Sequence, residues 1–271
     1  LPLNQVQERF SDGSVNAWLQ RMERIEQNEM LRRGAAIHSI KTVPREDAAL
    51  IAQVATEQPL HVYVSEQHAE NLACQMYYGR TPTELLAEIG ALGTELTAVH
   101  AAHLSENDIA LLGDTECQVV VCPTAVRDMA EPLGPIRKLL DAGVPVGIGS
   151  DSHTCIDPFV ELRELEYHER VDSGERGRLT NTELVNCGTL AGYQSLGWYG
   201  GGMIAPGRVA DFVTIDSSSA RTVGSKSGEL VYTATSSDIG TVVVNGRVIV
   251  RDGHHALGNP GQLMRRALLA F

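Results

Sequence analysis

Three ionisable side chains, Glu66, His100 and Asp151, each come just after a short apolar run. Such runs predict buried strands of a parallel sheet. Because parallel strands end at one edge of a barrel or sheet, we expect the three side chains to face one rim. When water attacks an sp2 carbon that bears nitrogen, a base takes the proton of the water and an acid protonates the leaving amine. Two carboxyl groups and an imidazole supply these roles, and a metal ion would lower the pKa of the water.

Each of these residues also has an ordinary structural interpretation. Asp151 lies in Gly149-Ser150-Asp151-Ser152-His153 and could cap the following helix, a position where Asp and Ser are favoured. Glu66 could be a solvated charge at a strand end, and His100 or His103 a hydrogen-bonded core histidine. For a single residue the structural interpretation is the better one. Their shared placement after strands favours the functional interpretation for the set.

The segments that position these residues alternate between strand and helix. Strands are predicted at 35–39, 60–66, 96–99, 118–122 and 144–149. Helices are predicted at 14–33, 43–54, 81–92, 135–142 and 157–171, with others starting near residues 70 and 105. This alternation indicates right-handed crossovers and a parallel sheet, hence an α/β fold. Five similar units favour a (β/α) barrel over an open sheet, although a full set of eight is not visible.

The pattern changes after Gly174. A helix is predicted at 180–196 and strands at 212–215 and 241–250, where Asn245-Gly246 is a strong signal for a two-residue hairpin turn. A last helix is predicted from Pro260. We therefore divide the chain into a barrel part at 1–205, a small β segment at 206–256 and a C-terminal helix at 257–271.

The composition argues against several functions. The net charge of -12 is unfavourable for binding nucleic acid or anionic membranes. No apolar run reaches the roughly 18 residues of a membrane helix, and the sequence has no glycine-rich nucleotide-binding motif. The five cysteines are widely spaced and include no C-x-x-C pair. They are typical of reduced thiols, so we expect a cytoplasmic protein without a signal peptide.

Several segments together resemble the amidohydrolase superfamily, in particular the formimidoylglutamate deiminases of histidine degradation and their guanine-deaminase-like relatives. These segments are Ile37-His38-Ser39, Val64-Ser65-Glu66-Gln67, Tyr78-Gly79-Arg80-Thr81-Pro82, Val99-His100-Ala101-Ala102-His103-Leu104, Cys122-Pro123-Thr124, Gly149-Ser150-Asp151-Ser152-His153 and Pro206-Gly207-Arg208-Val209-Ala210-Asp211-Phe212-Val213. The resemblance runs from about residue 34 to 253 and is to the C-terminal part of the family. It implies a zinc-dependent (β/α)8 TIM-type barrel with a small β-sandwich, whose N-terminal strands are absent from this chain. The implied reaction is hydrolytic release of ammonia from a formimino or amidine-like carbon.

The resemblance also implies roles for individual residues. Asp151 matches the aspartate that binds the metal and moves a proton. His100 matches the histidine that polarises the substrate or assists the attacking water, and Glu66 matches the glutamate that protonates the leaving nitrogen. The substrate-binding candidates are His38, Lys41, His103 and Ser152.

The sequence departs from the family at the metal site. Tyr63 stands where the family has a metal-binding histidine three residues before Glu66. His61 lies on the same strand face as Tyr63, one pitch deeper, and is a possible replacement. The sequence contains no His-x-His pair, from which the family takes two more ligands. Because zinc needs about four ligands and Asp151 is the visible one, we expect zinc to be weak or absent in this chain alone.

Other family positions also differ. Lys41 replaces an arginine that clamps a substrate carboxylate in the family; it keeps the charge but loses the two-pronged hydrogen bonding. Ala125-Val126 and Glu131-Pro132 replace a Thr-Glu pair and an Asp-Gly pair. These changes indicate relaxed or redirected demands on the site.

Two functions of different class follow. The first is a deiminase or other C–N hydrolase acting on a small amidine or formimino compound, with Glu66 as acid, His100 as polarising group and Asp151 as base. The second is a catalytically inactive homologue that serves as a structural or regulatory subunit. Five strands do not close a barrel and open sheet edges are adhesive. We therefore expect association with the missing N-terminal half or a partner subunit, as a homo- or hetero-oligomer.

Overall fold

The computed structural model describes residues 3–151 and 155–270. The strands are β1 (Ala35–Ser39), β2 (Leu60–Val64), β3 (Leu96–His100), β4 (Gln118–Val121), β5 (Val146–Ile148), β6 (Phe212–Ile215), β7 (Ile239–Val244), β8 (Arg247–Arg251) and β9 (His254–His255). The helices are α1 (Gln5–Glu8), α2 (Val15–Glu23), α3 (Arg45–Val54), α4 (His68–Tyr78), α5 (Pro82–Glu88), α6 (Glu106–Asp114), α7 (Pro123–Asp128), α8 (Ile136–Asp141), α9 (Pro158–Ser173), α10 (Asn181–Cys187), α11 (Leu190–Ser195), α12 (Leu230–Thr233) and α13 (Pro260–Leu268). Two short 3₁₀ helices cover Ser227–Glu229 and Ser236–Asp238.

The first five strands form one parallel sheet in chain order, with helices between successive strands. The predicted α/β fold with a parallel sheet is therefore confirmed. Val64 pairs with His100 across β2 and β3, so these two strands end at the same level. In the described part of the chain β1 and β5 each pair with a single neighbour, and a closed TIM barrel stays a prediction.

Burial along the strands decides which side chains are left for a site. Alternate residues of β1 and β2 are buried in the core formed with the surrounding helices. His61 and Tyr63 alternate with these buried positions and lie on the opposite, partly open face of β2. All five residues of β3 are buried, so His100 ends a strand that is enclosed on both faces.

A second, antiparallel sheet has the order β6-β7-β8-β9. The predicted hairpin is confirmed: Asn245 and Gly246 join β7 to β8 with positive φ angles of 47° and 73°. Such turns favour exactly these two residue types because both central positions need the left-handed conformation. Between β6 and β7 the chain returns to α9, where Arg163 donates hydrogen bonds to the carbonyl oxygens of Tyr232 and Ala234. The β-sandwich and the three-part division stay predictions.

Three predicted elements differ from the structure. The helix predicted at 14–33 ends at Glu23, and the backbones of Asn28 and Leu31 pair with each other instead. The helix predicted at 180–196 is two helices separated at Gly188, where a Cβ atom would lie 2.8 Å from the side chain of Leu162. Pro123 ends the preceding strand as predicted but also opens the short helix α7, because proline is favoured in a first helical turn. None of the helices in the described residues has the length and apolar character of a membrane span.

The carboxylate of Glu166 on α9 is fully buried and holds the loop that follows this helix. It accepts hydrogen bonds from Arg170 Nε and from the backbone N–H groups of Gly177 and Leu179. Burial alone would raise the pKa of Glu166, but these hydrogen bonds outweigh it and the pKa is lowered. The stabilisation by Glu166 is therefore present above its unfolded-state pKa and is lost as the pH falls through the folded-state value.

Replacing Glu166 with Gln is expected to lower the free energy of unfolding by about 1–3 kcal/mol at pH 7, because a buried donor loses its acceptor. Thermal unfolding followed by circular dichroism measures this loss, which should shrink as the pH is lowered towards 3. Glu175→Gln is the matched control, since the side chain of Glu175 is 69% exposed. Equal losses for the two variants would contradict the prediction.

Candidate active site

The structure brings Glu66, His100 and Asp151 together at the carboxyl ends of β2, β3 and β5. His100 Nε2 lies 3.5 Å from Glu66 Oε1 and 3.8 Å from Asp151 Oδ2. The imidazole therefore stands between two carboxyl groups that come from different strands. The side chains of Glu66 and Asp151 are 16% and 26% exposed, which leaves both accessible from the rim.

The backbone at these strand ends is unusual. Ser65, His100, Ala101 and Asp151 have φ angles of 51°, 72°, 51° and 42°, in the left-handed region that residues other than glycine rarely adopt. Such conformations cost of order 1–3 kcal/mol each and cluster at functional sites. His100 and Asp151 thus have strained backbones themselves, and Glu66 directly follows the strained residue Ser65.

The ordinary structural interpretations of these residues do not match their surroundings. The helix after Asp151 is capped by Asp157, whose side chain accepts from Phe159 N. His100 is buried, yet neither of its ring nitrogens has a hydrogen-bond partner within the described residues. Unpaired buried polar atoms are costly, and in native proteins they call for a ligand or bound water. The His100 ring is therefore suited to meet a substrate.

Tyr63 joins the three candidates from the open face of β2. Its hydroxyl donates a hydrogen bond of 3.1 Å to Asp151 Oδ1, and its ring lies 4.9 Å from the His100 ring and 5.4 Å from the His38 ring. Burial, and then the negative charge of Asp151, raise the pKa of Tyr63 to about 12. The phenol consequently stays neutral at physiological pH and acts as a hydrogen-bond donor.

His38 lies at the mouth of the site, against Tyr63. Its Nδ1 atom is 3.1 Å from Ser39 Oγ and 3.3 Å from Thr42 Oγ1. Burial and the positive charge of Lys41 lower the pKa of His38. Lys41 influences the pKa values of His38 and Glu70, and Glu66 influences that of His38; substrate contact by His38 and Lys41 stays a prediction.

Three other predicted site residues lie elsewhere or outside the described residues. His61 Nε2 is 2.7 Å from the carbonyl oxygen of Ser195, to which it donates a hydrogen bond. His103 Nε2 is 3.2 Å from Glu131 Oε2, and its ring is 5.8 Å from that of His68, so His103 belongs to a second cluster. Ser152 falls in the short segment that the structure leaves undescribed.

The residues present do not fit a complete zinc site. Throughout residues 3–151 and 155–270 no three His, Cys, Asp or Glu side chains are arranged to hold a metal ion. At the expected position, one oxygen of Asp151 accepts a hydrogen bond from the neutral Tyr63 phenol. Zinc sites in proteins use about four nitrogen, sulfur or oxygen ligands.

Sequence reasoning missed two groups beside the site. Cys122, at the end of β4, is buried close to Asp151; burial and the Asp151 charge raise the pKa of its thiol to about 12. Glu70, on the first turn of α4, accepts a hydrogen bond from the backbone of Glu66. Its place at the third position of the helix that follows Glu66 is a signal visible in the sequence, since a glutamate there commonly accepts from a backbone N–H at the helix start.

The fold and this cluster define an α/β protein with a candidate acid–base site at the carboxyl ends of its parallel strands. The sequence comparison is more specific. The chain belongs to the amidohydrolase family, because the model of that family matches residues 9–249. The resemblance inferred from the motifs is thereby confirmed.

Curated relatives include several deaminases. The chain is 29% identical to the formimidoylglutamate deiminase of Pseudomonas aeruginosa in an alignment that covers 94% of this chain and 59% of the relative. It is 32% identical to a 5-methylthioadenosine/S-adenosylhomocysteine deaminase of Syntrophobacter fumaroxidans over 77% of this chain and 49% of the relative. It is 30% identical to a 5'-deoxyadenosine deaminase of Methanosarcina barkeri over 79% of this chain and 51% of the relative. The chain thus spans 49–59% of the length of these relatives.

Solved structures share the fold. An adenosine deaminase from Xanthomonas campestris with bound zinc superposes with a TM-score of 0.88 at 23% identity, covering 94% of this chain and 61% of the other. The atrazine chlorohydrolase TrzN from Arthrobacter aurescens TC1, complexed with zinc, superposes with a TM-score of 0.83 at 22% identity, covering 94% of this chain and 59% of the other. At these identities the likeness establishes the fold alone.

Proposed function

We propose that this chain carries the acid, base and polarising group of a hydrolytic deaminase that releases ammonia from an amidine-type carbon. The observation that carries the proposal is the position of His100 Nε2, 3.5 Å from Glu66 and 3.8 Å from Asp151. A carbon held in front of this imidazole would have a carboxyl group on each side. That is the geometry that proton removal from water and proton delivery to a leaving amine require.

The proposed reaction consumes one water and releases one ammonia. Asp151 takes a proton as the water oxygen bonds to the sp2 carbon, and the electron pair of the C=N bond moves to nitrogen. His100 hydrogen-bonds to the tetrahedral intermediate and stabilises the charge that develops there. Asp151 passes the proton that it took from water to this nitrogen, which becomes an NH2 group. The C–N bond then breaks as Glu66 protonates the NH2 group, while the hydroxyl group on carbon forms the C=O bond and returns its proton to Glu66. A formimino group becomes a formamide in this way.

The substrate we propose is a formimino compound that carries a carboxylate, of which N-formimino-L-glutamate is an example. Support comes from the formimidoylglutamate deiminase, which matches 94% of this chain. The positive charge of Lys41 near His38 gives a carboxylate a partner at the mouth of the site. The five cysteines are free thiols, which supports a reducing compartment such as the cytoplasm for this reaction.

The proposed reaction does not rely on zinc bound by this chain alone. Relatives of this fold hold zinc, but the described residues of this chain do not assemble a zinc site. In the proposed reaction, side chains of this chain therefore carry out every proton transfer. A complete zinc site would need ligands from residues outside the described ranges or from another chain.

We also propose that further strands complete the sheet into a barrel. In the described residues β1 and β5 are outer strands with one paired side each, and unpaired parallel edges are unstable in water. The added strands would come from a longer form of the protein or from a second subunit. Light scattering on protein isolated under native conditions should give a mass well above 29.3 kDa, whereas a monomer of that mass would contradict this proposal.

A second candidate function is a catalytically inactive subunit. The observation that favours it is the hydrogen bond from Tyr63 to Asp151 Oδ1, which occupies the carboxylate that serves as base. In that case the amidohydrolase fold would serve to stabilise or regulate an active partner. The same assay separates the two candidates.

The assay is ammonia release by the protein isolated from its own cells with all associated chains. The compounds are N-formimino-L-glutamate, 5'-methylthioadenosine, S-adenosylhomocysteine and 5'-deoxyadenosine. We expect release from N-formimino-L-glutamate with the largest kcat/KM. Release from an adenosine compound alone would overturn the proposed substrate, and no release from any compound would favour the inactive subunit.

A further inference from the structure

Glu70 is a buried residue whose carboxyl group contacts the backbone of Glu66, the proposed acid. It is 4% exposed, and its Oε2 atom accepts a hydrogen bond of 3.1 Å from the backbone N–H of Glu66. A glutamate at the third position of a helix commonly accepts from the N-cap residue. Glu70 occupies that position of α4, whose N-cap is Gln67, but it reaches one residue further, to Glu66.

The second oxygen of Glu70 is unsatisfied. Its Oε1 atom is buried without a hydrogen-bond partner in the described residues, and so is the hydroxyl oxygen of the neighbouring Ser65. Burial of a carboxylate with an unpaired oxygen is costly, and this cost favours the protonated form of Glu70. Glu70 can therefore hold a proton while its other oxygen still accepts from the Glu66 N–H.

We infer that Glu70 is a positioning residue for Glu66: through one oxygen it fixes the backbone of the residue that carries the proposed acid. This inference rests on the proposed function, in which Glu66 is the acid. An ionised carboxylate accepts a hydrogen bond more strongly than a protonated carboxyl group, so the charge of Glu70 controls how firmly the Glu66 backbone is held.

The electrostatic surroundings agree with this role. Burial raises the pKa of Glu70 to about 7, the charge of Glu66 adds to the effect, and the Glu66 N–H and the charge of Lys41 oppose it. The other titratable groups nearby are the thiol of Cys74 on the same helix and, beyond it, Glu84 and Asp108 on α5 and α6. Glu70 consequently changes its charge near neutral pH.

Two substitutions at Glu70 separate its hydrogen bond to the Glu66 backbone from its charge. Glu70→Gln keeps an acceptor for the Glu66 N–H and removes the titrating group, while Glu70→Ala removes both. Glu84→Gln is the matched control, because Glu84 holds the same third position in α5 and accepts from the Thr81 N–H at 2.9 Å. All variants are compared by kcat and KM for ammonia release, by hydrogen exchange at the Glu66 amide and by thermal unfolding.

We expect Glu70→Ala to lower kcat for ammonia release by about tenfold with a small change in KM, because the acid is held less firmly, and Glu84→Gln to leave kcat unchanged. Glu70→Ala should speed exchange of the Glu66 amide by about tenfold or more, and Glu70→Gln should restore its protection. An unchanged kcat and exchange rate in Glu70→Ala, or equal losses in Glu84→Gln, overturns the inference.

Thermal unfolding keeps this test independent of activity. A raised folded-state pKa means that ionised Glu70 destabilises the protein as the pH rises from its unfolded-state value near 4.5 to about 7. The unfolding temperature of Glu70→Gln relative to the unsubstituted protein should therefore rise by about 5 °C between pH 5 and pH 8. If no compound releases ammonia the proposed function fails, but the exchange and unfolding results still decide the role of Glu70. A pH-independent difference in unfolding temperature would overturn it.

Discussion

Replacing Asp151 with Asn should lower kcat for ammonia release by at least about 100-fold, since general acid–base catalysis typically contributes 10²–10⁴-fold. The amide has the shape of the carboxylate but does not accept a proton from water at neutral pH. Tyr63 still finds an oxygen acceptor at the position of Asp151 Oδ1, so the fold around the site should be retained. The effect should therefore lie in kcat, with a small change in KM.

Asp114→Asn is the matched control for this experiment. Asp114 is an exposed aspartate at the end of α6 and takes no part in the proposed chemistry. It should retain full activity and an unchanged unfolding temperature. If Asp151→Asn keeps more than about a tenth of the activity, Asp151 is not the base and the proposed mechanism is wrong.

Replacing Tyr63 with His should raise the affinity for zinc by at least about tenfold, because even outer partners of a metal ligand change affinity by 10–100-fold. The imidazole would stand beside Asp151 and His100, in place of a neutral phenol that donates to the carboxylate. In the unsubstituted protein we expect bound zinc well below one atom per chain. Elemental analysis after dialysis against zinc, together with titration calorimetry, measures both quantities.

Tyr63→Phe is the control for the loss of the hydroxyl. It frees Asp151 from the hydrogen bond without adding a ligand, so its zinc content should stay low. One tightly bound zinc per chain in the unsubstituted protein would show that ligands outside the described residues complete the site. In that case the proposal that this chain has lost the metal would be wrong.

The parallel sheet was predictable from sequence because its strands are short apolar runs separated by helical segments. The strand predicted at 35–39 matches β1, and Glu66, His100 and Asp151 lie just where their strands end. Convergence of these side chains follows from parallel topology alone. The break after Cys187 was not predictable, since the apolar spacing of residues 180–196 continues across it while Thr189 leaves the helical conformation with φ -132° and ψ -87°.

The contacts within the site are tertiary and could not be read from spacing. Tyr63 was recognisable as a replaced ligand, but its hydrogen bond to Asp151 joins residues 88 positions apart. His61 was placed on the correct face of β2, yet its partner is a carbonyl oxygen 134 residues later. Glu70 could have been found, because a carboxyl group four residues after Glu66 falls on the first turn of the next helix.

A crystal structure of the Asp151→Asn variant soaked with N-formimino-L-glutamate tests the central claim most directly. We predict a formimino carbon held in front of the His100 ring, with its nitrogen within hydrogen-bond distance of Glu66 and its opposite face towards residue 151. A ligand bound away from these side chains, or the three groups directed to separate surfaces, would contradict the account.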